Sequence, residues 1–225
     1  MARPVPRLFV IRHGETEWSL NGRHSYHIIH LTTGRTDIPL TPRGKDVIQS
    51  HAKAVACEGK LIDPKNLAFV FVSPRKRAHE TFHLLFNHLS SPPPHIITEE
   101  VREWDYGEYE GITTAEIHKT HPDWEIFRDG CPGGESPEEV TQRVDAIITK
   151  IHEIHRQFME EGIGARDVLI VAHGHFTRSI IARWLGAPLT LGSHFNVEAA
   201  GVALLSYNHK SLAEPCLDGL NLYAL

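Results

Sequence analysis

Two His-Gly pairs, His13-Gly14 and His173-Gly174, each follow a short apolar run, Leu8 to Ile11 and Val168 to Ala172. An imidazole at the end of a buried strand is well placed for nucleophilic or acid–base work, because open α/β sheets bind ligands beside the carboxyl ends of their strands. A glycine after each histidine lets backbone N–H groups approach an anion closely. Arg12 adds a permanently charged, forked donor that matches phosphate oxygens. Together the two pairs point to a site for an anion such as phosphate, against the simpler reading of two unrelated histidines. A rival pattern is His79-Glu80-Thr81-Phe82-His83, an H-E-x-x-H match that would place both histidines on one helix face, as in zinc hydrolases. No H-x-x-G-x-x-H extension or third ligand is evident, so a polar helix face is the simpler reading of His79 and His83. Of the 17 histidines, His118, His121, His152, His155 and His209 read as surface residues.

The elements that must position these groups follow from periodicity. Arg7 to Ile11 reads as a buried strand, and so do Leu67 to Val72, stopped by Ser73-Pro74, and Val168 to Ala172. His95 to Thr98 suggests a short strand. Val202 to Tyr207 and Leu220 to Leu225 suggest closing ones. Thr41-Pro42 opens a helix near 41–57 whose stripe is Val47, Ile48, His51 and Val55. Ala78, Phe82, Leu85, Phe86 and Leu89 predict a second helix running to Pro92-Pro93-Pro94. Ser136, Pro137 and Glu139 form a capping box before the stripe Val140, Val144, Ile147, Ile148, Ile151 and Ile154. A last helix carries Ile180, Ile181, Trp184 and Leu185 and stops at Gly186. Residues 99–135 form an irregular excursion with one short helix near 112–120. Strands alternating with helices imply an α/β fold, a mostly parallel sheet with helices on both faces.

Composition narrows the function classes. The 225 residues suit one domain, and 41% hydrophobic content supports a full core. A net charge of −5 argues against a general nucleic-acid binder. No run is long enough to span a membrane, and the first residues lack the apolar stretch of a secretion signal. Cys57, Cys131 and Cys216 are odd in number and far apart, which fits a reducing, cytoplasmic setting.

The stretch Arg12-His13-Gly14-Glu15-Thr16-Glu17-Trp18 resembles the signature of the histidine phosphatase, or phosphoglycerate-mutase-like, superfamily. Thr36 to Thr41, Ser73 to Ala78 with Thr81, Arg102 to Gly107 and Ala172-His173-Gly174 match it in the same order. The Arg102 to Gly107 stretch and the region of Trp124, Arg128, Asp129, Gly130 and Cys131 are most similar to the fungal sedoheptulose-bisphosphatase-like branch. The resemblance implies a three-layer α/β/α sandwich over residues 1–225, with the excursion covering the active site. It implies that His13 is the phosphorylated nucleophile, that Arg12, Arg77 and His173 clamp the phosphoryl group, and that Glu103 is the proton donor. Gly14, Ser19 and Gly174 are then phosphate-binding candidates. His24, Tyr26, His27, Trp104, Tyr106 and His175 are specificity candidates. The expected substrate is a small phosphomonoester, and no metal or organic cofactor is expected because the two arginines and His173 bring the positive charge a metal would supply.

Three departures from the family pattern stand out. Ser19 occupies a place where mutases commonly carry Asn, and the Arg- and Pro-rich stretch mutases carry after the acid is missing, which favours a phosphatase over a mutase. Between Arg178 and Gly201 the chain is shorter than in the bisphosphatase branch. Residues 22–34 are longer than usual, and their exit from the His13 loop suggests a lid, or else a packed surface insertion. An inactive phosphate-binding scaffold is the alternative of another class, disfavoured because His13, Glu103 and His173 are all present.

Overall fold

The computed structural model describes residues 3–19 and 32–224. Its middle layer is a six-stranded sheet of order β3-β2-β4-β1-β5-β6. Strands β1 (Leu8–Arg12), β4 (Asp167–Ala172), β2 (Leu67–Val72) and β3 (Ile96–Ile97) are parallel, whereas β5 (Val202–Tyr207) and β6 (Pro215–Leu222) close antiparallel. The sheet is therefore mixed and mostly parallel.

Alternation along β1 builds two cores. Leu8 and Val10 pack with Val144, Ile147 and Ile151 of α5 (Pro137–Arg156) and with Phe176 and Ile180 of α6 (Gly174–Trp184). Phe9 and Ile11 pack on the other face with Ile48 and Val55 of α1 (Pro42–Val55) and Phe82 and Leu85 of α2 (Lys76–Leu85). Both faces of the central strands are covered, which is why those strands read as continuous apolar runs. The predicted caps form: Thr41 Oγ1 accepts from the Gly44 N–H at 2.9 Å, and Ser136 and Glu139 close a reciprocal capping box. The excursion contains α3 (Thr114–Thr120), as expected, and also α4 (Ile126–Asp129), which was not. No helix among the described residues is long and apolar enough to cross a membrane.

Several expectations need correction. α2 ends at Leu85 rather than near Leu89, because Phe86 leaves helical geometry at φ −112°. Phe86 stays buried and Leu89 still packs on the core, so the apolar spacing outlasts the helix. β2 is buried only in its second half: Phe69 is 39% exposed, because β3 pairs only with Phe71 and Val72. β6 lies earlier than Leu220 to Leu225, pairing Pro215 with Tyr207 and Leu222 with Val202. His155 is not a surface residue. It is fully buried, with Nδ1 2.8 Å from the Tyr207 hydroxyl, and burial pulls its pKa down to about 3, so it is a neutral core imidazole. Its place was readable, since 144, 147, 151 and 155 continue one inward stripe. His152 is half-buried, its ring edge-on to Trp184.

The join between α1 and the chain leaving β1 is unusually tight. A Cβ on Gly44 would lie 2.5 Å from the Glu15 carbonyl oxygen, a backbone atom that cannot step aside. Gly→Ala inside a helix ordinarily stabilises by about 0.5–1 kcal/mol. Here the sign reverses: Gly44→Ala is expected to cost about 1–3 kcal/mol, measured by chemical denaturation, and a gain in stability would refute this reading of the contact.

Candidate active site

β1 and β4 lie side by side in parallel, with Arg12 opposite Ala172, and the His13 N–H donates to the Ala172 carbonyl at 2.9 Å. That register brings the rings of His13 and His173 to 5.2 Å between centroids, edge to face. His13 Nδ1 is 2.7 Å from the carbonyl oxygen of Gly14. A carbonyl only accepts, so Nδ1 carries the hydrogen and Nε2 keeps its lone pair. Burial first, and then the Arg77 and Arg12 guanidiniums, hold the His13 pKa well below the ordinary imidazole value. The ring is therefore neutral at pH 7. His173 is completely buried with Nε2 2.7 Å from Ser73 Oγ, and burial, then Arg77 and His13, lower its pKa in the same way.

Arg77 enters from the first turn of α2, 1% exposed, and spends its two terminal nitrogens on the carbonyls of Thr36 (2.9 Å) and Thr33 (2.7 Å). Arg12 spends Nη1 on the Val197 carbonyl at 2.6 Å. Arg12 Nε, Arg77 Nε and His173 Nδ1 are buried without a partner among the described residues. Three orphaned polar atoms at one strand end mark a place built for something polar and anionic.

Glu103 is held from two sides. Its Oε1 accepts from the N–H groups of Trp104 and Phe176, both at 2.9 Å, and its Oε2 accepts from the His175 N–H at 3.1 Å. The last two donors belong to the first turn of α6, where exposed N–H groups favour a carboxylate. Burial nonetheless raises its pKa above the usual carboxylate value against those donors and against Arg77. Oε2, with the longer single bond, is the better atom to carry a proton.

A cavity of about 410 Å³ opens over these groups, with Arg12, His13, Arg77, Glu103, Tyr106, Gly174 and His175 in its wall. Ser19 and Thr16 line it too, the Thr16 N–H donating to Ser19 Oγ at 2.7 Å. Tyr106 is 2.6 Å from His175 Nδ1, and both belong to the wall. The sequence reading missed Arg178, Asn196 and Glu198, which reach the cavity from α6 and from the segment before β5. No spacing rule links them to His13, since the fold alone brings them together. Arg178 lies over the Phe127 ring at 4.8 Å and donates from Nε to the Gly192 carbonyl at 2.8 Å.

Other expectations change. Gly14 lies outside the cavity wall, and its N–H is already given to Thr81 Oγ1 at 3.1 Å. The glycine is needed for packing, because a Cβ there would come 2.6 Å from Ile48 Cδ1. Trp104 is core rather than pocket: 1% exposed, it donates Nε1–H to the Glu135 carbonyl at 3.0 Å and meets Phe127 edge-on. Trp124 likewise stays out of the wall and donates to the Gly130 carbonyl at 2.8 Å. His24, Tyr26, His27 and most of the suggested lid lie outside the described residues. The chain on either side of that gap does form wall, through Trp18 and Ser19 before it and Thr32 and Thr33 after it. His79 and His83 do share a helix face, and the third imidazole the sequence did not reveal stands beside them as His95.

Glu103 owes its position to Glu135, a buried carboxylate that receives Arg102 at 2.8 Å, Arg143 at 2.9 and 3.0 Å, and the Asp105 N–H at 2.9 Å. Arg143 also donates to the carbonyls of Glu100 and Arg102, which pins the chain on the near side of Glu103. Removing one partner of such a cluster leaves buried charge unpaired. Glu135→Ala is expected to lose about 3–5 kcal/mol of stability and Glu135→Gln clearly less, read by denaturant unfolding. Equal small losses in both would show that Glu135 is dispensable.

The family model for the histidine phosphatase superfamily (branch 1) matches residues 8–214. A sedoheptulose 1,7-bisphosphatase of Saccharomyces cerevisiae is 32% identical over 259 aligned positions, covering 95% of this chain and 92% of the relative. An acid phosphatase of Mycobacterium tuberculosis is 36% identical over 203 residues, covering 90% and 87%. The solved structure of the open reading frame Rv3214 product from M. tuberculosis superposes with a TM-score of 0.75 at 33% identity, covering 96% of this chain and 97% of that one. Paired strand-end histidines, a buried arginine pair and these similarities agree, and the chain belongs to branch 1 of the histidine phosphatase superfamily.

Proposed function

We propose that this phosphatase cleaves a small phosphomonoester through a phosphohistidine at Nε2 of His13. The observation that carries the reading is the His13 ring itself, buried, neutral, and committed through Nδ1–H to the Gly14 carbonyl so that only Nε2 is free to attack. In the first step the Nε2 lone pair forms a bond to phosphorus, the ester P–O bond breaks, and Glu103 gives its proton to the departing alkoxide. In the second, the Glu103 carboxylate takes a proton from water, the oxygen attacks phosphorus, and the N–P bond breaks. Inorganic phosphate leaves and both residues return to their starting states. Arg12 and Arg77 stabilise the charge spread over the equatorial oxygens. His173 lies behind the wall, fully buried, with Nε2 paired to Ser73 Oγ and Nδ1 unpartnered among the described residues; in the tautomer with Nδ1–H and Ser73 as the donor it adds a further donor beside His13. These fixed charges fill the role a metal would have, so activity is expected to survive chelators and to be blocked by vanadate.

The wall suits a polyhydroxylated molecule. Thr16, Ser19, Thr32, Thr114 and Asn196 offer hydroxyl and amide groups, and Arg178 adds a guanidinium beyond the pair at His13. A sugar phosphate with a second anionic group fits this lining, consistent with what the yeast relative's name says of that protein. The free thiols Cys57, Cys131 and Cys216 support a reducing compartment, the cytoplasm.

Rapid quench into alkaline denaturant with labelled substrate is expected to trap base-stable, acid-labile phosphate on the wild type and none on His13→Ala, which should keep its fold and lose turnover. Label on that variant would overturn the proposal. The pH dependence follows from the two shifts. Neutral His13 is required and persists into acid because its pKa is lowered, while protonated Glu103 is required and is lost as pH rises through its raised pKa. The first step is thus expected to slow as pH rises through the raised Glu103 pKa and to hold its rate below it. Glu103→Gln is expected to slow alkyl phosphates by about 10²–10⁴ and to flatten the alkaline fall, while nearly sparing phosphorylation by p-nitrophenyl phosphate. In a phosphate-release panel, Arg178→Gln is expected to reduce kcat/KM for sugar bisphosphates at least about 10-fold more than for monophosphates. Equal losses would remove Arg178 from substrate recognition.

A further inference from the structure

We propose that His79 and His83 of α2, with His95 just before β3, bind a divalent transition-metal ion of the zinc class at a site separate from the phosphate chemistry. One ring nitrogen from each lies within 4.8 Å of the other two. His79 Nε2 and His83 Nε2 are 3.3 Å apart, the separation that two imidazole nitrogens keep on a tetrahedral ion with bonds of ~2.0–2.1 Å. His95 Nδ1 lies 3.2 Å from the Pro93 carbonyl and donates to it, which leaves the Nε2 lone pair as the ligand. A backbone carbonyl behind a ligating imidazole is the usual way its ring is aimed and its basicity raised. The His95 ring also rests on the buried Phe82 ring at 4.2 Å, so its orientation is held by packing.

The same contacts separate this site from hydrolytic zinc chemistry. In a zinc protease the glutamate of the motif activates the metal's water. Glu80 is turned away: its Oε2 accepts from the Leu40 N–H at 3.1 Å and pairs with Lys45 at 3.6 Å. None of the three histidines belongs to the wall of the phosphate cavity. An ion there joins α2, which carries Arg77, to the edge of the sheet across the proline-rich connection, and its fourth position is open to water because His83 is exposed.

The test uses the full chain freed of metal by chelator and dialysis. Calorimetric titration with Zn²⁺ and absorbance titration with Co²⁺ are expected to show one ion per chain in a tetrahedral field. His83→Ala removes an exposed side chain and endangers the fold least. Both it and His95→Ala are expected to weaken binding by at least about 10-fold, whereas Glu80→Gln leaves it unchanged. Zn²⁺ is expected to raise the Tm of the wild type and not that of His83→Ala. Unchanged phosphate release by His83→Ala shows the variant is folded. Wild-type binding that is absent, or equal in affinity and stoichiometry in His83→Ala, overturns the proposal.

Discussion

The active site rests on the parallel pairing of β1 with β4. Two strands separated by most of the chain lie in contact, and the register that sets Arg12 against Ala172 delivers His13 and His173 to the same point. A slip of one residue would turn every side chain of β1 to the opposite face and send Leu8 and Val10 into the wrong core. Register is therefore enforced by two hydrophobic layers at once. The geometry of the candidate site inherits that precision, and local hydrogen bonds such as His13 Nδ1 to Gly14 and His173 to Ser73 set the rings within it.

Charge is arranged in a complementary way. Buried Arg77 and part-buried Arg12 are each hydrogen-bonded to backbone carbonyls rather than to carboxylates. The nearest acid of the cavity wall, Glu103, is itself tied to N–H groups of α6. In the proposed mechanism a bound phosphoryl group would complete the electrostatics instead of competing with an existing ion pair, leaving the positioned arginines to act on the transition state. Glu135, a buried carboxylate paired with Arg102 and Arg143, sits behind Glu103 and shapes the chain.

The parts of this molecule that were legible in the sequence are those where local pattern and burial coincide. Arg12 to Gly14 and Ala172 to Gly174 follow continuous apolar strands, and Ser136 with Glu139 announces α5. Residues brought in by tertiary geometry were not legible: Arg178 reaches the cavity from α6 and Asn196 from the segment before β5, and His95 joins His83 across the proline-rich connection between α2 and β3. Gly14 turns its N–H to Thr81 and packs on α1, outside the cavity wall. A glycine next to a catalytic histidine serves an anion or a close helix equally well, and only the contact with Ile48 decides between them. Trp104 illustrates the same ambiguity, since an aromatic residue beside an acid looks the same in sequence whether it faces a pocket or the core.

A sheet with both faces covered still has two open margins, and here neither offers a long template to another chain. On one side β3 is two residues long and is preceded by Pro92-Pro93-Pro94, so the margin presents few unpaired N–H groups despite the exposed Ile96 and Ile97. On the other, β6 begins at a proline and loses register with β5 at two places, with Asp218 at its exposed surface and Gly219 interrupting its side-chain row. Among the described residues both margins therefore carry features that disfavour edge-to-edge pairing, and substitutions that lengthened β3 or smoothed β6 would remove them.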